Sequence, residues 1–424
     1  MNESAHLPDL KLLSRLIPNT PSIGSTTVTT ADHIHLSFGF AAPNLFPLAE
    51  LEKAATDAIT VHGREALQYS GAPGPAYIAR WIEQRARQNG IEATPNHVLV
   101  TYGATQGLAL AAQLLIEPGD EVWTEAPTFF SALQAFRLSG AIIRSFPLEA
   151  DGLNVELLAQ ALRQQRAAGR PLPKLLYTMP TYHNPGGVTL SLAKRQRLVE
   201  LAREYHFYVL EDDAYGELNF TGQLLPTLYS LAPERTIYLN TFSKIIAPGL
   251  RLGWMIAHPQ LIDRLRILML GGSTGVFTQE IVAALLQHID FEQHVERLRT
   301  YYRQQRDVMA TAIDRYFGDT VRYVLPDGGF FLWLSFRPEI DTTELQQRAL
   351  HYGVSIVDGR SFYPERDVHH QLRLCFSYCS AEQIEQGIAR LATAYTEQEE
   401  QLGQLNKVVS AYAAEGVNTG NRHA

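Results

Sequence analysis

The sequence predicts an α/β fold: a large domain with a mostly parallel mixed sheet flanked by helices, plus a smaller α+β domain. Two patterns carry this. Between His97 and Ala257, short β-branched runs alternate with longer amphipathic runs, as in repeated strand–helix–strand units. After residue 257 the texture changes to a long helical stretch, then to strands mixed with helices. A chain of 424 residues, 46% hydrophobic and 19% charged, also has enough apolar material for a large core with two domains around it.

In chain order, HVLVTY, EVWTEA, AIIRSF, KLLYTM, FYVLED, TIYLNT and LRLGWMI read as strands, and the stretches after residues 104, 127, 154 and 191 as helices. Crossover helices cover both faces of such a sheet, and ligands sit beyond the carboxyl ends of its strands. Residues just past a strand are therefore the site candidates. Beyond 257 a helix is expected from about Thr278 to Phe317, bent or broken near Asp290. Strands follow around VRYVL, GGFFLWLSF, VSIVDG and QLRLCFSY, with helices over Thr342 to His351 and from Ala381 onward. Residues 15–33, rich in Ser, Thr and Pro, read as a loop or clamp, and the polar stretch from about Thr396 as a frayed tail. There is no internal repeat.

Composition removes several function classes. Met1 to Ser14 carries charged residues and no apolar core segment, so no signal peptide is expected, and no apolar run approaches the roughly 20 residues that span a bilayer. A net charge of −8 and a pI near 6.0 give no general support to nucleic-acid binding, leaving room for one basic pocket around a small anion. The only cysteines, Cys375 and Cys379, read as two buried thiols rather than a bridge or a metal site; no metal is expected. The expected compartment is the cytoplasm.

Lysine is scarce: of 36 basic residues six are lysines, at positions 11, 53, 174, 194, 244 and 407. An enzyme that needs an amine nucleophile has few candidates here. In TIYLNTFSKIIAPGLRLGW a strand ends at Thr241-Phe242-Ser243, Lys244 follows at once, and Pro248-Gly249 turns the chain into a second strand opening with Arg251. Two hydroxyls and a guanidinium beside one lysine suit a phosphate, and a neighbouring cation lowers an amine's pKa. Taken alone, the segment also reads as a surface lysine in a loop with a structural arginine.

Three further segments end strands in the same way. FYVLEDDAYGEL places Asp212 and Tyr215 three apart past a hydrophobic run, where a carboxylate beside a heteroaromatic nitrogen keeps it protonated and a phenol bonds a ring oxygen. YTMPTYHNPGGVTLS carries Asn184-Pro185 in turn chemistry, where an X-Pro bond can adopt either the cis or the trans form. VTYGATQGLALAAQLL passes from strand through Gly103 into a helix whose first amides, Ala104 and Thr105, are free for an anion. A capping acid, an ordinary turn and a plain strand-to-helix junction are the bland alternatives.

Together and in this order, from IHLSFGFAAPNLFP to RLCFSY, the segments resemble the fold-type-I pyridoxal-phosphate enzymes of aminotransferase class I/II. The likeness is greatest to the 2-aminoadipate and multi-substrate branch and to the catalytic domains of MocR-type regulators. The resemblance implies pyridoxal 5'-phosphate as cofactor, Lys244 as the Schiff-base lysine and proton carrier, Asp212 on the pyridinium nitrogen, and Tyr215 and Asn184 on the ring hydroxyl. It implies that Thr105, Thr241, Ser243, Arg251 and the amides of Ala104 and Thr105, after Gly103, hold the phosphate. Phe129 in EAPTFF matches the aromatic that stacks on the cofactor ring. Arg373 matches the grip on the substrate α-carboxylate, with Gly39 and Asn184 beside it, and Tyr69 in LQYSG matches the tyrosine that reaches a partner subunit's phosphate. A homodimer with shared sites follows, with no nucleic-acid or membrane partner.

The implied division is 1–44 as an N-terminal arm and part of the small domain, 45–285 as a large cofactor-binding domain, and 286–424 as a small C-terminal domain with a polar tail. The implied reaction moves an amino group from an α-amino acid to a 2-oxo acid such as 2-oxoglutarate by a ping-pong route. The chain departs from the family at Phe38-Gly39 in place of Gly-Gly, at an alanine in place of the following proline, at NPGG in place of NPTG, and at Asp358 in place of a proline. The same constellation serves elimination, decarboxylation or oxidation, and MocR-type proteins use the domain as a regulatory module; both stand as alternatives. Against the second, no winged-helix domain fits before residue 33 and there is no basic arm.

Overall fold

A computed structural model describes residues 14–17, 32–69, 76–270, 272, 274–365 and 367–418. Thirteen strands among them are β1 (Ile34–His35), β2 (Val98–Thr101), β3 (Glu121–Ala126), β4 (Ile142–Glu149), β5 (Gly152–Leu153), β6 (Leu175–Thr178), β7 (Tyr208–Asp212), β8 (Thr236–Thr241), β9 (Gly253–Ile256), β10 (Phe331–Ser335), β11 (Val354–Ser355), β12 (Val357–Asp358) and β13 (Gln371–Cys375). Eight of them form one sheet in the order β2-β9-β8-β7-β6-β3-β4-β5. β4, β3, β6, β7 and β8 run parallel, which accounts for the helices between them. The link 242–252 is too short for a crossover helix, so β9 returns antiparallel to β8 and to β2.

Strands buried on both faces explain the continuous apolar runs. Leu175 and Tyr177 of β6 join the apolar cluster that holds Leu108 of the helix Gly103–Leu115, while Leu176 joins a second cluster with the helices Val155–Ala167 and Leu192–Tyr205. Alternate side chains thus feed two helical layers. Beside this sheet lie a three-stranded antiparallel sheet, β10-β13-β12, and the short parallel pair β1-β11. That pair ties the segment after residue 32 to the C-terminal part of the chain: Ile34 N donates to Gly353 O, and Cys375 N to Leu36 O.

The long helix is broken where expected. Asp290 caps the helix Phe291–Phe317 by accepting from Gln293 N, and the helix Val276–His288 ends just before it. Three expectations need correction. Arg251 does not open a strand: it has φ 49°, in the left-handed region, and β9 begins at Gly253. VRYVL is no strand but a single bridge, Arg322 to Ser335. The polar end does not fray from Thr396, since the helix runs Ala381–Asn418. Gln398 continues its buried face, with Nε2 donating to Asp341 O, so an amphipathic helix persists where the residue types look solvated. The clamp expected over 15–33 falls mostly outside the described residues. Cys375 and Cys379 are buried free thiols, and no helix among the described residues is long and apolar enough to cross a membrane.

Candidate active site

Strand ends bring most of the expected residues together. Lys244 closes the short 3-10 turn Phe242–Lys244 directly after β8, and Asp212 is the last residue of the neighbouring β7. Tyr215 lies in the turn past Asp212 and Asn184 in the turn past β6, and Gly103, Ala104 and Thr105 start the helix after β2. Lys244 Nζ lies 5.8 Å from the Tyr215 ring centroid and 5.6 Å from that of Phe330, and donates to Gly39 O at 2.7 Å. Burial pushes its amine down to about 8; the Arg373 and Arg251 charges act in the same sense, while Cys375 and Asp212 oppose them.

Asp212 is buried, and its Oδ2 accepts from the Tyr177 hydroxyl at 2.8 Å. Its Oδ1 has no hydrogen-bond partner among the described residues. Burial lifts this carboxyl to about 6, against the lowering effect of the Tyr177 hydrogen bond. Burial likewise raises the Tyr215 phenol, which hydrogen-bonds Asn184. Asn184 precedes a cis proline and its Oδ1 accepts from Arg373 Nη1 at 2.9 Å.

Arg373 projects from the centre of β13. Its Nη2 donates to Ser37 O at 2.8 Å, its guanidinium lies 4.2 Å from the Phe331 ring centroid, and its buried Nε has no hydrogen-bond partner among the described residues. Gly39, in the same N-terminal segment, packs against Phe331, where a β-carbon would come within 3.0 Å. Two strands and that segment therefore converge on one guanidinium.

The anion-binding candidates form a second cluster. Thr241 Oγ1 accepts from Ser243 N at 3.1 Å and lies 2.9 Å from Ser243 Oγ. Arg251 stacks on Tyr102 at 5.3 Å from the ring centroid. Gly103, at φ 72°, has Arg251 Nη2 only 3.0 Å from where a β-carbon would stand, and Gly253 meets Ala104 N at 2.7 Å in the same sense. Glycine at 103 lets the guanidinium approach the helix start, and glycine at 253 lets that helix start lie against the strand backbone. Phe129 is the partly buried N-cap of the helix Phe130–Leu138, 5.2 Å from Phe130 between centroids. Tyr69 stands apart and is 93% exposed.

Other polar residues were not singled out from sequence. Tyr177 sits in the buried run KLLYTM, and a hydroxyl inside a parallel-sheet strand was the available signal. Glu125 accepts from Thr178 Oγ1 at 2.5 Å and from Met179 N at 3.1 Å, and lies 3.1 Å from His183 Nε2. His183 Nδ1 accepts from Gly186 N, which leaves Nε2 as the donor to Glu125 and anchors the Asn184 turn. Asp358 accepts from the Thr342 and Thr343 hydroxyls and from Arg360 N, so it joins two helix starts where the family has a proline.

The group implied by the resemblance fits these residues. A pyridinium N–H needs a buried acceptor, which the free Asp212 Oδ1 supplies; a phosphate needs clustered donors and a cation, which Ser243, Thr241, the first amides of the 103–115 helix and Arg251 supply.

Comparison with known proteins agrees with this arrangement. A family profile described as aminotransferase class I and II matches residues 40–391. The chain is 35% identical over 378 residues to aromatic-amino-acid aminotransferase 1 of Thermococcus litoralis, covering 88% of this chain and 90% of that protein. It superimposes with a TM-score of 0.85 and 33% identity on a multiple substrate aminotransferase from Thermococcus profundus, covering 92% of this chain and 99% of that one. An α-aminoadipate aminotransferase of Thermus thermophilus, solved with N-(5'-phosphopyridoxyl)-L-leucine, gives 0.81 and 33% over 88% and 94% of the two chains. With sequence, fold and the carboxyl-end cluster in agreement, the chain belongs to the class I and II aminotransferases, fold-type-I enzymes that depend on pyridoxal 5'-phosphate.

Proposed function

We propose that this aminotransferase takes the amino group of an α-amino acid with an aromatic side chain and passes it to 2-oxoglutarate, in two half-reactions that share one site. What supports the chemistry most is the pairing of a half-buried amine at Lys244 with the free Oδ1 of Asp212 at adjacent strand ends. When bound, pyridoxal phosphate supplies an aldehyde for the lysine amine and a cationic ring that takes up the electrons of a broken Cα–H bond. Lys244 would accept the α-proton and carry it for return, as the amine at this strand end. Asp212 keeps the ring nitrogen protonated, Tyr215 and Asn184 bond the ring oxygen, and Arg373 fixes the substrate carboxylate so that the α-C–H faces Lys244. The cluster of Thr105, Thr241, Ser243, Arg251 and the amides of Ala104 and Thr105 holds the phosphate, and Phe129 covers the ring.

An aromatic wall supports the donor class. Phe38 and Phe40 flank Gly39, stack on each other at 4.6 Å, and both meet Tyr378 edge-on; His35 stacks on Phe38 at 4.5 Å. Phe40 remains 48% exposed, a ring surface beside the carbonyl that holds Lys244. A flat side chain would bury apolar area there and gain ring–ring contacts. One similar protein is named an aromatic-amino-acid aminotransferase. The test is a screen of amino donors with 2-oxoglutarate as acceptor, together with release of one 2-oxo acid per site when donor is added without acceptor. Activity with acidic donors alone removes the aromatic assignment, and continuous product without acceptor removes transamination.

We further propose a homodimer in which Tyr69 completes the partner's phosphate site. Tyr69 is exposed, as are Leu48, Ile59, Val61 and Leu67 in the segment before it, large apolar side chains that a partner subunit would cover. Tyr69→Phe deletes one hydroxyl and is expected to weaken cofactor retention by about 1 to 3 kcal/mol, the scale of a hydrogen bond to a charged group. Sedimentation equilibrium of holo and apo protein, with cofactor titration of the variant, checks both parts; a fully active monomer overturns the shared site.

A further inference from the structure

A line of buried polar groups runs into the turn that carries Thr241 and Ser243. Asp213, next to Asp212, accepts at Oδ2 from the Tyr238 hydroxyl at 2.8 Å. While it donates to Asp213, that hydroxyl accepts from Asn240 Nδ2 at 2.7 Å, and Asn240 Oδ1 accepts from Thr241 N at 2.6 Å. Thr241 Oγ1 in turn receives Ser243 N. Asp213, Tyr238, Asn240, Thr241 and Ser243 are all buried.

The register explains why a side chain is needed there. Phe242 N donates to Leu252 O, so the preceding Thr241 turns its N–H away from β9, towards a side where β7 has already ended at Asp212. The Asn240 amide takes the place of the missing strand, and Tyr238 and Asp213 orient that amide from behind. Asp213 is buried, and burial with the neighbouring Glu211 pushes its carboxyl well above the usual range; its Oδ1 has no hydrogen-bond partner among the described residues, and the residue lines a cleft of about 410 Å³.

We propose that Asp213, Tyr238 and Asn240 are positioning residues for phosphate recognition, holding the Thr241–Ser243 turn so that its hydroxyls face the anion alongside Arg251. This rests on the assignment of Thr241, Ser243 and Arg251 to the phosphate. None of the three side chains bonds Lys244 directly; they reach it only through the turn that it closes, so a selective loss for phosphate ligands over pyridoxal is what marks a phosphate role.

The experiment titrates apoprotein with pyridoxal phosphate, with pyridoxal, and with inorganic phosphate as competitor. Tyr238→Phe and Asn240→Ala are each expected to weaken pyridoxal phosphate and inorganic phosphate about tenfold, the size of one lost hydrogen bond, while pyridoxal stays within about twofold. Asp213→Ala removes the acceptor for Tyr238 and is expected to weaken pyridoxal phosphate and inorganic phosphate with the same selectivity over pyridoxal. Arg251→Gln tests the underlying assignment by the same selectivity. If Arg251→Gln discriminates and the strut variants do not, or if they weaken phosphate and pyridoxal alike, the strut has no positioning role. If Arg251→Gln itself fails to discriminate, the phosphate assignment falls and the proposal with it.

Discussion

Lys244→Ala is expected to fold normally and to lose turnover by more than about 10⁴-fold, since it removes both the covalent anchor and the proton carrier. The other lysines whose side chains are described offer no substitute: Lys174 pairs with Asp120 and Glu117, Lys194 with Glu149 and Asp151, and Lys53 is exposed on a helix. Borohydride reduction of the holoenzyme followed by peptide mapping is expected to tag Lys244; a tag elsewhere overturns the assignment. The amine's pH dependence gives an independent check. Lowered to about 8, it is mostly protonated at pH 7 and mostly free at pH 9. Capture of cofactor by apoprotein is therefore expected to rise about tenfold per pH unit below 8 and level off above it. A solvated lysine would keep rising past pH 10.

The parallel core was legible because its strands are buried on both faces and its helices are amphipathic, so one sequence period marks each. What failed was set by partners distant in sequence. VRYVL has strand composition, but among the described residues its one bridge is Arg322 to Ser335, a partner that the local sequence does not reveal. Gln398 looks solvated, yet the chain folds it against Asp341 O, and the terminal helix continues through it. Arg251 looks like the first residue of a strand because it precedes an apolar run. Its left-handed backbone instead aims the guanidinium past Gly103.

Within the site, strand-end residues were legible since an open parallel sheet exposes its chemistry at one edge. Asp212, Lys244, Asn184 and Arg251 follow from that rule plus residue type. The groups that orient them were not legible. Tyr177, Tyr238 and Asn240 lie inside strands, where a polar residue gives no sign of which face it serves until register is known. Arg373 was visible only by resemblance, because a lone arginine in β13 acquires meaning from Asn184 and Ser37, far away in sequence.

Asp212→Asn is expected to retain cofactor and to slow the donor half-reaction by orders of magnitude. The amide accepts from Tyr177 as before but carries no charge to keep the ring nitrogen protonated while electrons arrive on the ring. Near-wild-type turnover in this variant sinks the role. Stability is expected to move the other way. Asp212 titrates at about 6 in the folded cofactor-free protein and near 3.9 when unfolded, because burial disfavours the carboxylate. Between these values the folded state binds more protons than the unfolded one, so this group's contribution is fully present below pH 4 and is lost as pH rises through 6. Above pH 6 the buried charge costs on the order of 3 kcal/mol. The Asn variant escapes that cost. As apoprotein it is expected to melt higher than wild type at pH 8 and to lose the advantage towards pH 4, as calorimetry across that range will show. Adding cofactor is expected to narrow the gap at pH 8, because only the wild-type carboxylate gains a cationic partner for its free Oδ1. An Asn variant less stable than wild type at every pH means that Asp212 is a structural anchor instead.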